Sequence, residues 1–479
     1  MMFLNKPKSF FVITTLLLLL TTSGWSATII VDRANDSGNG FCTLRQAVLS
    51  ANFNLALAGC AAGDDNIVDD VLIDVAGPII LTQGEIPVFG AISIYTNSGQ
   101  SVRIQAASDS RIFNVNSPDA NDNDFFINNL SLTDGNVGID NGGAILIRDA
   151  GDVTIKNSAF INNNAENGGA IYCSSCLVNE MTLTSNQFVD NGATTSGGAF
   201  YGQNILYGGA LDINRNQFKD NFAQFGGAIY LRESSETITL FANKFTGNIA
   251  SDSGGGVYLA GLSGGQTYEM DSNLFYKNQA ADLGGAIRLF TSSTRLNLIN
   301  STFSHNDAAY GGGISNGSGN LQVSASTFVY NFAQNAGANL HSTAQGINAV
   351  EHSIVAHPVN KTNCNTGNVS FGSIGANVSD DSSCGFNEPS DTLGDPHLTG
   401  MVEVQERFGY YPTVYSPALD NSHVIVCRDS SSAPILVDQF STPRDMDGDG
   451  NGTGECDAGA IEAFPNTDLI FYDSFGVAD

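Results

Sequence analysis

The sequence predicts an all-β solenoid, a parallel β-helix with a small N-terminal cap and an irregular C-terminal region. Three observations predict it. Phe-x-x-Asn recurs at Phe160, Phe188, Phe218, Phe245, Phe275, Phe303 and Phe328, at intervals of 28, 30, 27, 30, 28 and 25 residues. A Gly-Gly step follows eight or nine residues after each of the first six, at Gly168, Gly197, Gly226, Gly254, Gly284 and Gly311. Apolar pairs precede each Phe by seven and five positions: Val153/Ile155, Met181/Leu183, Leu211/Ile213, Ile238/Leu240, Tyr268/Met270, Leu296/Leu298 and Leu321/Val323.

Apolar positions two apart put alternate side chains on one face of a strand, whereas a helix needs spacings of three and four. A unit this short cannot bury its own apolar face, so successive units stack as coils. The register extends to Phe125/Ile127/Leu132 on one side and Ile347/Ala349/Ile354 on the other, giving nine coils. At about 4.8 Å per coil they make a rod of roughly 43 Å. Within it the Phe residues form an aromatic column and the Asn residues an amide ladder. Asn is also expected to take the left-handed backbone at the corner, and the Gly-Gly step to supply positive φ where the chain turns into its next strand. These recurring residues are explained by construction, so activity has to be sought where the repeat is broken.

The in-phase Gly-Gly-Ala-Ile and Phe-x-x-Asn elements over Phe125 to Ile354 resemble the repeats of the chlamydial polymorphic outer-membrane proteins. The resemblance implies a right-handed parallel β-helix (solenoid) and an adhesin-like, surface-exposed role. Those relatives carry a C-terminal membrane barrel. Here about 125 residues follow the last coil, without a regular series of alternating strands, so export through a barrel of its own is not expected.

Residues 1–26 read as a cleaved signal peptide: Lys6 and Lys8, then the apolar run Phe10–Leu20, then small residues ending at Ser26. Residues 27–65 read as a cap, with a strand at Thr28–Val31 and a short helix from Cys42 to Asn52. Its Cys42-Thr-Leu-Arg45-Gln-Ala segment resembles the Cys-Ser-Leu-Arg-Glu-Ala motif that opens many secreted bacterial β-helix proteins. There Arg45 is expected to hydrogen-bond the cap. Residues 66–355 form the β-helix and 356–465 a different region, closing on Cys456-Asp457-Ala-Gly-Ala-Ile-Glu462. This resembles the choice-of-anchor module of large secreted repeat proteins, and the resemblance carries no catalytic role. Residues 466–479, with Leu469–Phe475, read as a terminal strand or a sorting tail.

The formal charge is −29, from 48 acidic and 19 basic residues. Such a field excludes nucleic acid as a partner and disfavours anionic membranes and polyanionic glycans. No later segment is long and apolar enough to span a membrane as a helix. Export makes disulfides the expected state of the eight cysteines. In a solenoid, distant coils do not meet, so sequence-local pairs are favoured: Cys42/Cys60, Cys173/Cys176, Cys364/Cys384 and Cys427/Cys456. Spacing alone does not fix the connectivity.

The sharpest chemical cluster is Asp445-Met-Asp447-Gly-Asp449-Gly450-Asn451, with acids at alternate positions and Gly at the sixth, as at the start of a calcium loop. Cys456 stands where an EF-hand needs Glu, and a solvated acidic turn is the competing reading. Asp445, Asp447, Asp449 and Asn451 are therefore candidate calcium ligands, and calcium is the one cofactor suggested. No catalytic residue is nominated. The six histidines are scattered, and nothing matches the Gly-His-Gly or Arg-Ile-Lys elements of polygalacturonases. The leading expectation is a secreted or surface-held, monomeric, non-enzymatic protein in adhesion or in binding of a glycan or protein. The alternatives are a polysaccharide lyase or glycosidase using a groove of the helix, and a structural rod. An enzyme predicts clustered acids or bases in a cleft, a binder predicts aromatics along one face, and a rod predicts neither.

Overall fold

A computed structural model describes residues 28–463, apart from residues 39, 65–67, 98, 100, 118–122, 205–209, 233–237, 262–265, 292–293, 344–347, 366, 368–370, 405–406, 422–426 and 430. The expected signal peptide and the 466–479 tail lie outside the described residues. The chain is a parallel β-solenoid. One coil runs through Asp152–Lys156, Ala159–Ile161, Asn164–Asn167 and Ile171–Leu177 before Glu180–Thr184 begins the next. Among the described residues, stacking these segments builds four parallel sheets, of 13, 13, 7 and 11 strands in that order around the coil. We call them the first to fourth sheets.

The apolar pairs stack as the periodicity requires. Val153, Met181, Leu211, Ile238, Tyr268, Leu296 and Leu321 form one in-register column of the first sheet, pointing into the core. In the second sheet the seven Phe rings lie face over face, with centroids 4.5 to 4.9 Å apart. The strand register therefore dictates the aromatic spacing. Coil contacts continue beyond residue 355, through Cys364–Asn365, Gly372–Gly375, Val378–Ser379 and Thr392–Leu393. The Phe is lost there, and so is the buried apolar pair, since Gly372–Gly375 turns Ile374 out to solvent.

Two amide ladders brace the corners on either side of the Phe column. In the expected one, the Asn191 side chain donates to Asn221 Oδ1 at 3.0 Å and to the Phe160 carbonyl at 2.9 Å, while its own Oδ1 accepts from Asn163. The pattern repeats through Asn221, Asn248, Asn278 and Asn306 to Asn331. The second ladder lies two residues before each Phe and was not anticipated. Asn186, Asn216, Asn243 and Asn273 pass the same bonds at 3.1 Å, and Ser301, Ser326 and Ser353 continue it with hydroxyls. The left-handed residue is not the ladder Asn but the one before it: Asn162, Asp190, Asp220, Lys277, His305 and Tyr330 all have φ between 54° and 58°. That kink swings the following Asn inward, where its amide can reach the next coil. At the Gly-Gly corner the expectation holds. Gly197 has φ 66°, and a side chain there would strike the Phe200 carbonyl.

The first coil is closed by helix α1 (Leu44–Phe53), with Thr43 as its N-cap. Arg45 grips Asp36 at 2.8 Å and also donates to the carbonyls of Gly84 and Glu85. Asp36 in turn accepts from the Thr82 and Gln83 amides, so this buried pair joins cap to coil. Cys42–Cys60 staples the same region with Cα atoms 4.6 Å apart. Cys364–Cys384 and Cys427–Cys456 are likewise bonded. Cys173 is also in a disulfide, and the side chain of Cys176 lies outside the described residues.

Residues 395–463 form a strap along the outer face of the second sheet. Earlier strands of that sheet expose their outward residues, as Gln217–Lys219 does, whereas Thr302–Ser304, Thr327–Val329 and Ile354–Ala356 are buried on both faces. Thr302 donates to Gln439 Oε1 at 2.6 Å, the Ala460 amide to Thr327 Oγ1 at 2.9 Å, and the Gly459 amide to the His352 carbonyl at 2.8 Å. Lys244 sits 3.8 Å from the Phe408 ring centroid.

Asn221→Ala is expected to leave three buried partners of the ladder unsatisfied and to cost on the order of 2–4 kcal/mol. Asn243→Ala, in the second ladder, should cost a similar amount. Urea unfolding followed by circular dichroism checks both, and a Val153→Ala control separates ladder loss from packing loss.

Candidate functional site

Outward positions of the fourth sheet carry an aromatic row. Tyr172, Tyr201, Tyr230 and Tyr258 pair in register across four successive strands. Their rings lie 4.9, 5.1 and 5.2 Å apart at interplanar angles of 14°, 5° and 15°. Each ring face is thus covered by its neighbour, and the row presents ring rims and hydroxyl ends. Tyr201 is 8% exposed, and the other three are partly exposed. The column continues as Arg288, Ser315 and His341.

Two flanks border the row, and we call the strip between them the groove. On the third-sheet side, Phe225 meets Tyr258 edge-on at 5.5 Å and Tyr310 lies 5.2 Å from His341. On the other side, Gln203, Arg232, Ala260 and Phe290 form the next outward column of the same strands. Arg288 donates to Ser315 Oγ at 2.8 Å and is bonded to Tyr258. Burial pushes the Tyr258 hydroxyl up to about 12 and the His341 imidazole down to about 4, the latter helped by the Arg288 charge. The Tyr258 hydroxyl and the His341 imidazole are therefore uncharged at physiological pH, and Arg288 is the cation beside them. The row was legible in the sequence: each Tyr stands four residues after the first Gly of a Gly-Gly step.

The acidic loop is assembled differently from the expectation. Asp447 and Asp449 converge with Asp420, from a separate turn, so that one carboxylate oxygen from each lies within 4.8 Å of the others. Asp445 is exposed and outside the cluster. Asn451 spends its amide on Asp449 Oδ2 and its carbonyl oxygen on the Thr453 amide, 2.9 Å away in each case. Asp420 accepts from the Asp449 and Glu455 amides, and burial with the neighbouring Asp449 charge raises its pKa. Asp447 Oδ1 is buried without a hydrogen-bond partner. Three hard oxygen donors and an orphaned carboxylate oxygen suit a calcium-like cation. Sequence spacing missed Asp420 because it lies 27 residues before Asp447 and meets it only through the docked strap.

The closing motif of the strap is a buried electrostatic dock. Arg444 reaches Asn300 Oδ1 at 2.7 Å, the Gly459 carbonyl at 2.8 Å and Glu462 at 3.5 Å. Asp457 accepts from the Asp420 and Ala463 amides, and Asp438 from those of Phe440, Thr442 and Glu462. Arg444 pairs with Glu462, and its charge acts at longer range on Asp457 and Asp438. Burial first, and mutual repulsion second, hold Glu462 well above the carboxylate range, and burial also raises Asp457 and Asp438. Glu351, in the last coils, is pushed up to about 7 by burial. Ser304 Oγ lies 2.7 Å from both His305 Nδ1 and the Tyr410 hydroxyl, but it is fully buried and serves to seat the strap. A cavity of about 120 Å³ between Ser379, Phe386 and Leu393 is far smaller than the several hundred Å³ of a typical ligand pocket.

Residues 157–174, which hold the first Phe-x-x-Asn and the following Gly-Gly-Ala-Ile, match the Chlamydia polymorphic membrane protein repeat. No curated protein and no solved structure matches the chain. The repeat and the solenoid together are those of a surface-exposed β-helix protein. Its disulfides suit an extracytoplasmic compartment. Among the described residues no helix is long and apolar enough to cross a membrane.

The raised carboxyls fix a pH dependence. The carboxyls of Asp438, Asp457 and Glu462 contribute stability that is fully present below the ordinary carboxylate range and is lost as pH rises through their raised values. Glu462→Gln should flatten that fall above about pH 5. Melting temperature measured against pH, together with proteolysis of the strap, checks it.

Proposed function

We propose that this is a secreted, monomeric, non-enzymatic surface protein that attaches to a glycan or protein ligand through the groove along Tyr172–Tyr258. The stacked Tyr row carries this reading, because an outward aromatic column is the feature that separates a binder from an inert rod. Tyr and Arg supply large, rigid, amphipathic contact area and dominate the energetics of binding patches. Stacking fixes the rings before the ligand arrives, which reduces the ordering cost of binding. The strongly negative chain repels anionic surfaces at a distance, so short-range contacts in the groove have to supply the affinity.

Attachment of the mature chain to arrays of glycans and extracellular proteins should be lost at least about tenfold in Tyr230→Ala, with the circular dichroism spectrum unchanged. Undiminished attachment by that variant would remove the groove from the proposal.

Calcium is proposed as a structural ion of the strap, held by Asp420, Asp447 and Asp449. It would offset their mutual repulsion and fix the 445–457 loop against the 416–420 turn. Calcium at about millimolar concentration should raise the melting temperature of the wild type and not that of Asp447→Ala. A wild type indifferent to calcium would overturn the site.

A further inference from the structure

Resting on the reading of the groove as the attachment surface, we propose that its ligand is an unbranched, uncharged glycan. It lies along the rod axis with about one sugar unit per coil. The geometry excludes two commoner modes. An extended peptide cannot add as a strand here, because the fourth-sheet strands are paired on both sides by neighbouring coils. Stacking of a sugar face on an aromatic face is unavailable, because the Tyr faces cover one another at 4.9 to 5.2 Å.

What the row offers is a series of hydroxyls and electropositive ring rims at the pitch of the coils. Hydroxyls both donate and accept, so those already bonded within the protein, as Tyr201 is to Gln203, can still receive a bond. A chain of equatorially linked pyranoses advances by close to the same step and brings a ring oxygen and hydroxyls to each Tyr in turn. Arg288 ends the row, buried at 6% exposure and bonded to Ser315 within the protein. Asp252 and Asp282 lie close enough to shift its titration, and they set the local field against a polyanion.

Titration of the mature chain with linear β-1,4-linked gluco-, xylo- and manno-oligosaccharides of graded length tests the proposal. At least one series should bind, with affinity rising up to about four or five units, the length of the row, and then levelling. Tyr172→Phe/Tyr230→Phe keeps the stack but removes two hydroxyls. It should weaken binding at least about fivefold without lowering the melting temperature. Binding that ignores chain length or the two hydroxyls would overturn the proposal, as would tighter binding of a uronic or sulfated chain. If Tyr230→Ala abolishes attachment while every oligosaccharide fails to bind, the groove holds a protein ligand. The glycan inference then falls and the attachment reading stands.

Discussion

The structure depends on one constraint: a polar side chain buried at a coil corner must find its partners one coil away. The Asn163 to Asn331 ladder and the Asn186 to Asn273 ladder meet it by placing identical amides above one another. Each amide uses both donors and its acceptor, which a mixed column could not repeat indefinitely. The ladders clamp the short second-sheet strand between them, and the Phe rings can then stack only at the coil rise. Variation in coil length is therefore pushed elsewhere. It accumulates between the fourth sheet and the next first-sheet strand, where Gln203 to Leu211 and Asn316 to Asn320 differ in length without disturbing either ladder.

The same rise sets the properties of the outer surface. Where the outward residue recurs, as Tyr does four times, the solenoid writes a periodic row. Where it does not, the surface is irregular and can accept a separate segment. The strap uses the second kind of surface. Its closing motif acts as a dock, with Arg444, Asp457 and Glu462 buried against the last coils rather than displayed. Three buried carboxyls with raised pKa make that dock sensitive to protons. The nearby Asp420, Asp447 and Asp449 cluster adds further like charge to the same strap.

Much of this was legible in residue order. Period-two apolar pairs gave the strands and their register, and the Phe column followed from them. The Gly-Gly corner and the Asn ladder were also legible, although the left-handed kink belongs one residue earlier than expected. The second ladder and the Tyr row stood in the same alignment, at fixed offsets from Phe and from Gly. They were readable by the reasoning that found the first ladder.

What sequence could not supply were contacts between segments of different period. The meeting of Asp420 with Asp447 and Asp449, and the seating of residues 395–463 on Thr302, Ser304 and Thr327, join positions separated by 27 to more than 100 residues. A repeat announces its contacts because every partner sits one period away. A non-repeating strap has no such rule, so its position is decided by packing alone. The sequence by itself determined the coil and its core columns. Tertiary structure decided which outward faces stay open, which lie under the strap and which acids share a site.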